Sequence, residues 1–484
     1  MNLLPEKAHE NGNYFCTWGL QSTIAQQLGV KGNNIPEKQR DVLTTDLLFQ
    51  REDLYHLYDR EDRAGLYFLL DDGWDVPFHT NSAKGTEMFG SLIPDAQKFP
   101  GLGDTPVERL RALVHLTEEL GYAGLGLWVS PQEVFEPEHF SWERARAYWE
   151  ERARWCHEAG VKYWKVDWGR HITDMEYREM MTACARRCAP GLLIEHAVAI
   201  GPFSEYPDQE ALASKMQNCL VCSDFLRTYD VSQPFLDVET FFRVHTLLKG
   251  FEQHKARHQT KGHINVEFCA AIAAGLGLNL GIMRYQPELR ACIRWQRLAP
   301  PFSAYGAPYL CSSDQVTDQL IFDQNPVWWL SNRIGTSYQI TVPAVASRGT
   351  ALPIVEADGE PPIVLASQHP ETRAYALSIL RRNIDPNPGV ALLADITIMP
   401  SDMHAPIGVF GRCRKLTIRF GAPVPAGISV WAQCLLNEEA ADVTSQVRWL
   451  EDGIEIDGRL LRIWGHDRTD PCAVHEPAVL LKLC

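Results

Sequence analysis

From about residue 60 to residue 300, short apolar runs alternate with longer amphipathic ones, and this alternation is what most limits how the chain can fold. Ala64 to Leu70 is an apolar run that ends in Asp71-Asp72-Gly73-Trp74. Thr105-Pro106-Val107-Glu108 then reads as a helix start: Thr105 caps, Pro106 suits the first helical position, and Glu108 can reach back to the cap. Val107, Leu110, Leu113, Val114 and Leu120 share one helical face, Thr117 is its one polar break, and Gly121 is a stop. Gly124 to Val129 reads as a strand, Ser141 to Gly160 as a helix, Tyr163 to Asp167 as a strand and Met175 to Cys188 as a helix. Leu192 to Glu195 and Leu220 to Ser223 read as further strands. Short buried strands separated by helices make a parallel sheet, and the number of units favours closure into a (β/α)8 barrel. A polar or charged residue arrives at the end of each strand (Asp71, Ser130, Asp167, Glu195, Asp224), and in a barrel the C-terminal strand ends form the catalytic face.

After about residue 315 helical periodicity fades. Tyr338 to Val342, Lys415 to Phe420, Gly427 to Trp431 and Leu460 to Trp464 read as strands, divided by turns such as Asp385-Pro386-Asn387-Pro388-Gly389. The expected architecture is therefore α/β: a TIM barrel over residues 1–315, followed by a C-terminal antiparallel β-sandwich over residues 316–484.

A formal charge of −15 repels phosphate backbones, which speaks against nucleic acid as a partner, whereas a neutral sugar meets no such penalty. The thirteen cysteines are scattered, and the lone Cys219-x-x-Cys222 has no second pair at zinc-finger spacing, so buried free thiols in a reducing compartment are expected. Met1 to Glu10 is polar and lacks the apolar core of a signal peptide. The apolar stretch Cys269 to Met283 has 15 residues and contains Asn279, too short to span a bilayer. A cytoplasmic chain with no membrane association is expected. His79, His171, His196 and His263 lie on different segments, and His254 and His258 lack the glutamate of a metalloprotease helix, so no metal site is expected. With no Gly-rich phosphate loop and no nucleophile elbow, no cofactor is expected either.

Two features carry chemistry. In Tyr163-Trp164-Lys165-Val166-Asp167, Lys165 stands two residues before Asp167, so both side chains point to one face of the strand. An ammonium beside a carboxylate keeps it ionised, as a nucleophile requires, although the same pair can simply close a strand. Asp71-Asp72-Gly73-Trp74 reads as an ordinary Asp-Gly turn, or as two carboxylates that accept sugar hydroxyls beside an apolar wall from Trp74.

Taken in order, Asp71-Asp72-Gly73-Trp74, Lys98-Phe99-Pro100-Gly101, Gly124-Leu125-Gly126-Leu127-Trp128 and Lys165-Val166-Asp167-Trp168 resemble the α-galactosidase clan, glycoside hydrolase families 27 and 36. The resemblance covers about residues 14 to 290. It implies a retaining exo-glycoside hydrolase with a carbohydrate substrate and two catalytic carboxylates. It marks Asp167 as nucleophile, with Lys165, Asp71, Asp72, Trp74, Trp128 and Arg227 around the sugar. The acid/base follows from Leu226-Arg227-Thr228-Tyr229-Asp230, which gives Asp230, with Asp224 of Cys222-Ser223-Asp224 as competitor. Glu195, in Ile194-Glu195-His196, reads equally as a sugar contact or a salt-bridged rim residue. Cys16-Thr17-Trp18-Gly19 stands near the place of the family's first strand motif, with Trp18 a core residue or a sugar floor. A non-hydrolytic sugar-binding barrel and a transglycosylase fit the same residues.

Overall fold

Eight short strands pair in chain order and close into one parallel barrel: β1 (Tyr14–Cys16), β2 (Tyr67–Leu70), β3 (Gly124–Val129), β4 (Tyr163–Val166), β5 (Leu193–Ala197), β6 (Phe225–Arg227), β7 (His263–Val266) and β8 (Asn279–Ile282). The structure is a computed structural model, and it describes residues 1–29, 35–49, 59–81, 85–197, 219–220, 222–228, 237–253, 260–267, 269–283, 287–321, 337–382, 393–466 and 476–484. The strands read as unbroken apolar runs because both of their faces are buried. Tyr14, Cys16, Leu69, Trp128, Tyr163 and Phe225 point inward and form a cluster of their own inside the barrel. Their chain neighbours Phe15, Phe68, Leu127, Trp164 and Leu226 join the main core outside the barrel wall. This is the two-residue alternation of a strand turned into two separate cores.

The helix signals hold in detail. Thr105 and Glu108 form a reciprocal capping box: Glu108 N–H donates to Thr105 Oγ1 at 3.2 Å, and Thr105 N–H to Glu108 Oε2 at 2.9 Å. Thr117, the polar break on the buried face, returns its hydroxyl to the Leu113 carbonyl at 2.8 Å, so it is buried without loss. Two of the expected strands differ. Cys219 and Leu220 are helical, with Cys222 and Ser223 N–H donating back to the Cys219 carbonyl, so the short apolar run there coils and β6 starts only at Phe225. Leu460 to Trp464 lies in a helix, Gly458–Gly465, capped by the Asp457 side chain on Arg459 N–H. Leu461 and Trp464, three residues apart, are its buried side chains beside Gly465, which is helical spacing. The Asp385–Gly389 turn lies outside the described residues.

Among the described residues the C-terminal part holds, besides an antiparallel pair of Gln315–Ile321 with Ser337–Pro343, an eight-stranded and a five-stranded sheet, and its first strand is already Tyr309–Cys311. The sheets are mixed and not purely antiparallel: Val345–Arg348 pairs parallel with Ile363–Gln368, Tyr375–Leu380 with Ile407–Phe410, and Asp395–Ile398 with Lys415–Arg419. The helix Ala270–Leu276 joins barrel and sheet. A Cβ on Gly275 would lie 2.7 Å from Ser378 Oγ, so only glycine allows this approach. That helix packs on the barrel on one side and the sheet on the other, which is why Ala270 to Leu276 is apolar all round. No described helix is long and apolar enough to cross a membrane.

Asp62 is the main ionic tie between the segment before β2 and the last barrel helix, Pro287–Trp295. It is fully buried, and Arg290 Nε (2.8 Å), Arg294 Nε (3.2 Å) and Arg297 Nη2 (2.7 Å) all bond to it. Asp62→Ala takes the acceptor from Arg294 Nε and Arg297 Nη2, leaving Arg294 with Asp59 and the Leu436 carbonyl and Arg297 with the Pro5 carbonyl. The expected cost is about 3–5 kcal/mol of stability, read from urea unfolding. A change within about 0.5 kcal/mol, the usual range for surface sites, would show that the cluster holds nothing together.

Candidate active site

The strand ends bring the first set of side chains together at the barrel mouth. Asp71 follows β2, and Lys165 on β4 reaches across to it. The Lys165 ammonium lies 2.7 Å from Asp71 Oδ2 and 3.8 Å from Asp167 Oδ2. Cys16, at the end of β1, donates its S–H to the same Asp71 oxygen at 2.8 Å. Burial alone would raise the Asp71 carboxyl. The Lys165 ammonium, with hydrogen bonds from Cys16 and Lys165, outweighs it and holds the group below its ordinary value. Burial and the Arg227 charge act downward on the Lys165 ammonium, but Asp71, Cys16 and Asp167 prevail and hold it above its ordinary value. Both groups therefore stay ionised at neutral pH.

Asp167 directly follows β4. Its N–H donates to the Val129 carbonyl at 3.0 Å, and Arg178 donates to both the Val166 and Asp167 carbonyls. The main chain beneath the carboxylate is thus fixed from two sides. Trp128, at the end of β3, donates its indole N–H to Asp167 Oδ2 at 3.1 Å. Trp168 adds a second indole 5.5 Å from that of Trp128, and Phe89 meets both. Trp168 and Phe89 had no assigned part in the sequence reading, although Trp168 closes the Lys165–Trp168 motif.

Asp72 turns away from Lys165. Arg40, from the helix Ile35–Asp41, grips it with two parallel bonds, Nε to Oδ1 at 2.8 Å and Nη2 to Oδ2 at 2.7 Å. Arg227, at the end of β6, pairs with Glu267, just beyond β7, at 3.1 Å, and both are buried. Arg40 and Glu267 are the charged groups that sequence reasoning missed. Glu267 could have been found as an acid closing the run His263 to Val266; nothing in the sequence around Arg40 marks it.

Three residues stand elsewhere than expected. Trp74 is fully buried in the main core, its N–H on the Trp128 carbonyl at 2.9 Å, so it ties the β2 loop to β3 and forms no wall of the mouth. Glu195 lies inside β5, not at its end. Tyr14 (2.9 Å) and Tyr163 (2.8 Å) donate their hydroxyls to it and Asn265 its amide, so its oxygens serve a closed network deep in the barrel. Asp224 precedes β6 and sits at the opposite end from the mouth, accepting from Ile194 N–H at 3.1 Å and pairing with Arg186 at 3.4 Å. Trp18 is half-buried against the interior cluster. Asp230 lies outside the described residues, as do His254 and His258. His171 is held by Glu136 and Asp174, His196 by Arg178 and Thr182, and His263 by Asn279. His79 pairs with Asp41, and with Glu37 these make the one group of possible metal ligands among the described residues. Every described cysteine is free.

No family model matches the chain, and no curated protein matches it. Among solved structures it is similar to a GH27 β-L-arabinopyranosidase from Geobacillus stearothermophilus, at 11% identity over 99% of this chain and 96% of that one, with a TM-score of 0.39. It is also similar to an Anoxybacillus α-amylase, at 9% identity over 93% of this chain and 95% of that one, with a TM-score of 0.43. Likeness at this level assigns no residue a role.

Proposed function

We propose that the chain is a retaining exo-glycoside hydrolase with α-galactosidase-like chemistry. The observation that carries this reading is the Lys165 ammonium standing between Asp71 and Asp167 at the mouth of the barrel. Asp167 attacks the anomeric carbon of the terminal sugar, and Asp230 protonates the leaving oxygen. Asp230 then takes the proton of the water that releases the sugar. Asp71 and Asp72 accept sugar hydroxyls, while Lys165 and Arg227 donate to them. Each of the two acceptor carboxylates has its own cation, Lys165 or Arg40. Such a wall is near neutral and suits hydroxyls, which both give and accept hydrogen bonds, better than a charged sugar. Trp128, and Trp168 beside it, supply the apolar surface on which a ring can rest. None of these steps calls for a metal or a cofactor.

Two carboxyl groups about 5–5.5 Å apart give double displacement and retained configuration. The test is a screen of nitrophenyl glycosides with sugar and anomer varied, followed by proton NMR of the first-formed product of any substrate found. The expected product has the anomeric configuration of the substrate. An inverted product rules out Asp167 as a nucleophile, and hydrolysis of none of the glycosides rules out the hydrolase.

A further inference from the structure

Arg40 lies in a stretch without any recognisable motif, yet it is almost fully buried against the proposed sugar wall. Its two bonds to Asp72 have the fork geometry of a bidentate pair. Its guanidinium also rests 5.2 Å from the Phe89 ring centre and 5.6 Å from that of Trp168, the aromatics beside Trp128. A second, independent feature points to the same contact. Gly73 has φ +116°, and a Cβ there would lie 2.7 Å from Arg40 Cβ and 2.8 Å from its Cα. The glycine of Asp71-Asp72-Gly73-Trp74 thus makes room for the backbone that carries Arg40.

Building on the hydrolase reading, we propose that Arg40 is a positioning residue: it fixes the plane of the Asp72 carboxylate, so that its remaining lone pairs can accept sugar hydroxyls. A carboxylate offers about four lone-pair sites, and a bidentate arginine takes two of them. Without Arg40, Asp72 is a buried acid beside two other acids, Asp71 and Asp75. Asp71 has Lys165 as its own partner. Burial pushes Asp75 up to about 6, against the hydrogen bond it accepts from Leu92 N–H. Among the described residues the remaining nearby cation is Lys98, which burial pulls down to about 8 and whose ammonium donates to the Gly73 carbonyl at 2.8 Å. Without the fork the Asp72 carboxylate is free to turn, so the hydroxyls lose a fixed acceptor and the variant loses binding.

The test compares Arg40→Met and Arg40→Lys with the wild type, using a nitrophenyl glycoside that the wild type hydrolyses. In Arg40→Met, kcat/KM is expected to fall roughly a hundredfold, chiefly through KM. Arg40→Lys, which keeps the charge but not the fork, is expected to restore part of that and to leave about a tenfold loss. A loss in Arg40→Met that falls on kcat with KM unchanged, or that Arg40→Lys does not reduce, makes Arg40 merely structural and overturns the proposal. If Arg40→Met does not fold, Arg40→Gln is read in the same way. A direct arm needs no turnover: titration calorimetry with free galactose on the wild type, Arg40→Met, Asp72→Asn and the double variant. Free galactose is expected to bind more weakly to Arg40→Met and to Asp72→Asn than to the wild type, and no more weakly still to the double variant. Wild-type affinity in a folded Arg40→Met overturns the proposal whatever the activity. A weakened one, in a protein that hydrolyses no glycoside, leaves Arg40 as the holder of Asp72 and removes only the hydrolase.

Discussion

Asp167→Asn is expected to fold like the wild type and to lose roughly 10⁴-fold or more in kcat, the scale on which loss of a nucleophile acts. The two halves of that expectation rest on different contacts. Asn has the shape of Asp, and its side-chain oxygen can still accept the Trp128 indole N–H that reaches Oδ2 at 3.1 Å. The main chain stays pinned by the Val129 carbonyl and by Arg178. Lys165 is not stranded, because its shorter contact, at 2.7 Å, is with Asp71. The fold therefore has little to lose, and a thermal melt within a few degrees of the wild type is expected. An amide, however, is a poor nucleophile towards an anomeric carbon and cannot form the ester that splits the reaction into two displacements. Kinetics on a glycoside with a good leaving group check the second half. Near-normal turnover by a folded Asp167→Asn would remove Asp167 from the mechanism.

The barrel was legible because its signals are local. The capping box at Thr105, the stop at Gly160 in a left-handed conformation, and the strand Gly124–Val129 depend on residues close in sequence. The Lys165–Asp167 spacing also survives translation into space, since two residues apart on a strand means one face. What failed to show depends on partners far along the chain. Arg40 and Asp72 are 32 residues apart, and Arg227 and Glu267 are 40 apart, with no periodic pattern linking either pair. Glu195 looked like a strand-end acid because its strand was read as ending there. The strand continues to Ala197, which sinks the carboxylate among Tyr14, Tyr163 and Asn265. Trp74 sits in a sugar-binding motif by resemblance, but the turn at Gly73 carries the indole into the core. In the C-terminal sheets the strand runs were visible, while the parallel pairs arise from crossovers that period-two patterning does not record.

Asp230→Ala is expected to separate the two chemical steps, and Asp224→Ala to leave both untouched. The first acid is proposed for the proton transfers on sequence grounds: β6 ends at Arg227 at the mouth, and Asp230 follows three residues later. General acid–base help is worth roughly 10²–10⁴-fold, so substrates with poor leaving groups should lose about that much in Asp230→Ala. A nitrophenolate leaves without protonation, so formation of the glycosyl-enzyme should suffer least there and release should become limiting. Azide needs no base to attack, and added azide should restore turnover and yield a glycosyl azide. Asp224 has a different place and a different expected effect. It lies at the start of β6, takes the Ile194 N–H and faces Arg186, at the end of the barrel away from Asp167. Its removal should lower stability by about 1–3 kcal/mol, the cost of a buried donor left without its acceptor, with kcat and azide response unchanged. The two variants therefore differ in kind: one in leaving-group dependence and rescue, the other in unfolding. Azide rescue of Asp224→Ala, with none in Asp230→Ala, would reverse the assignment and would require proton transfer from the end of the barrel opposite the nucleophile.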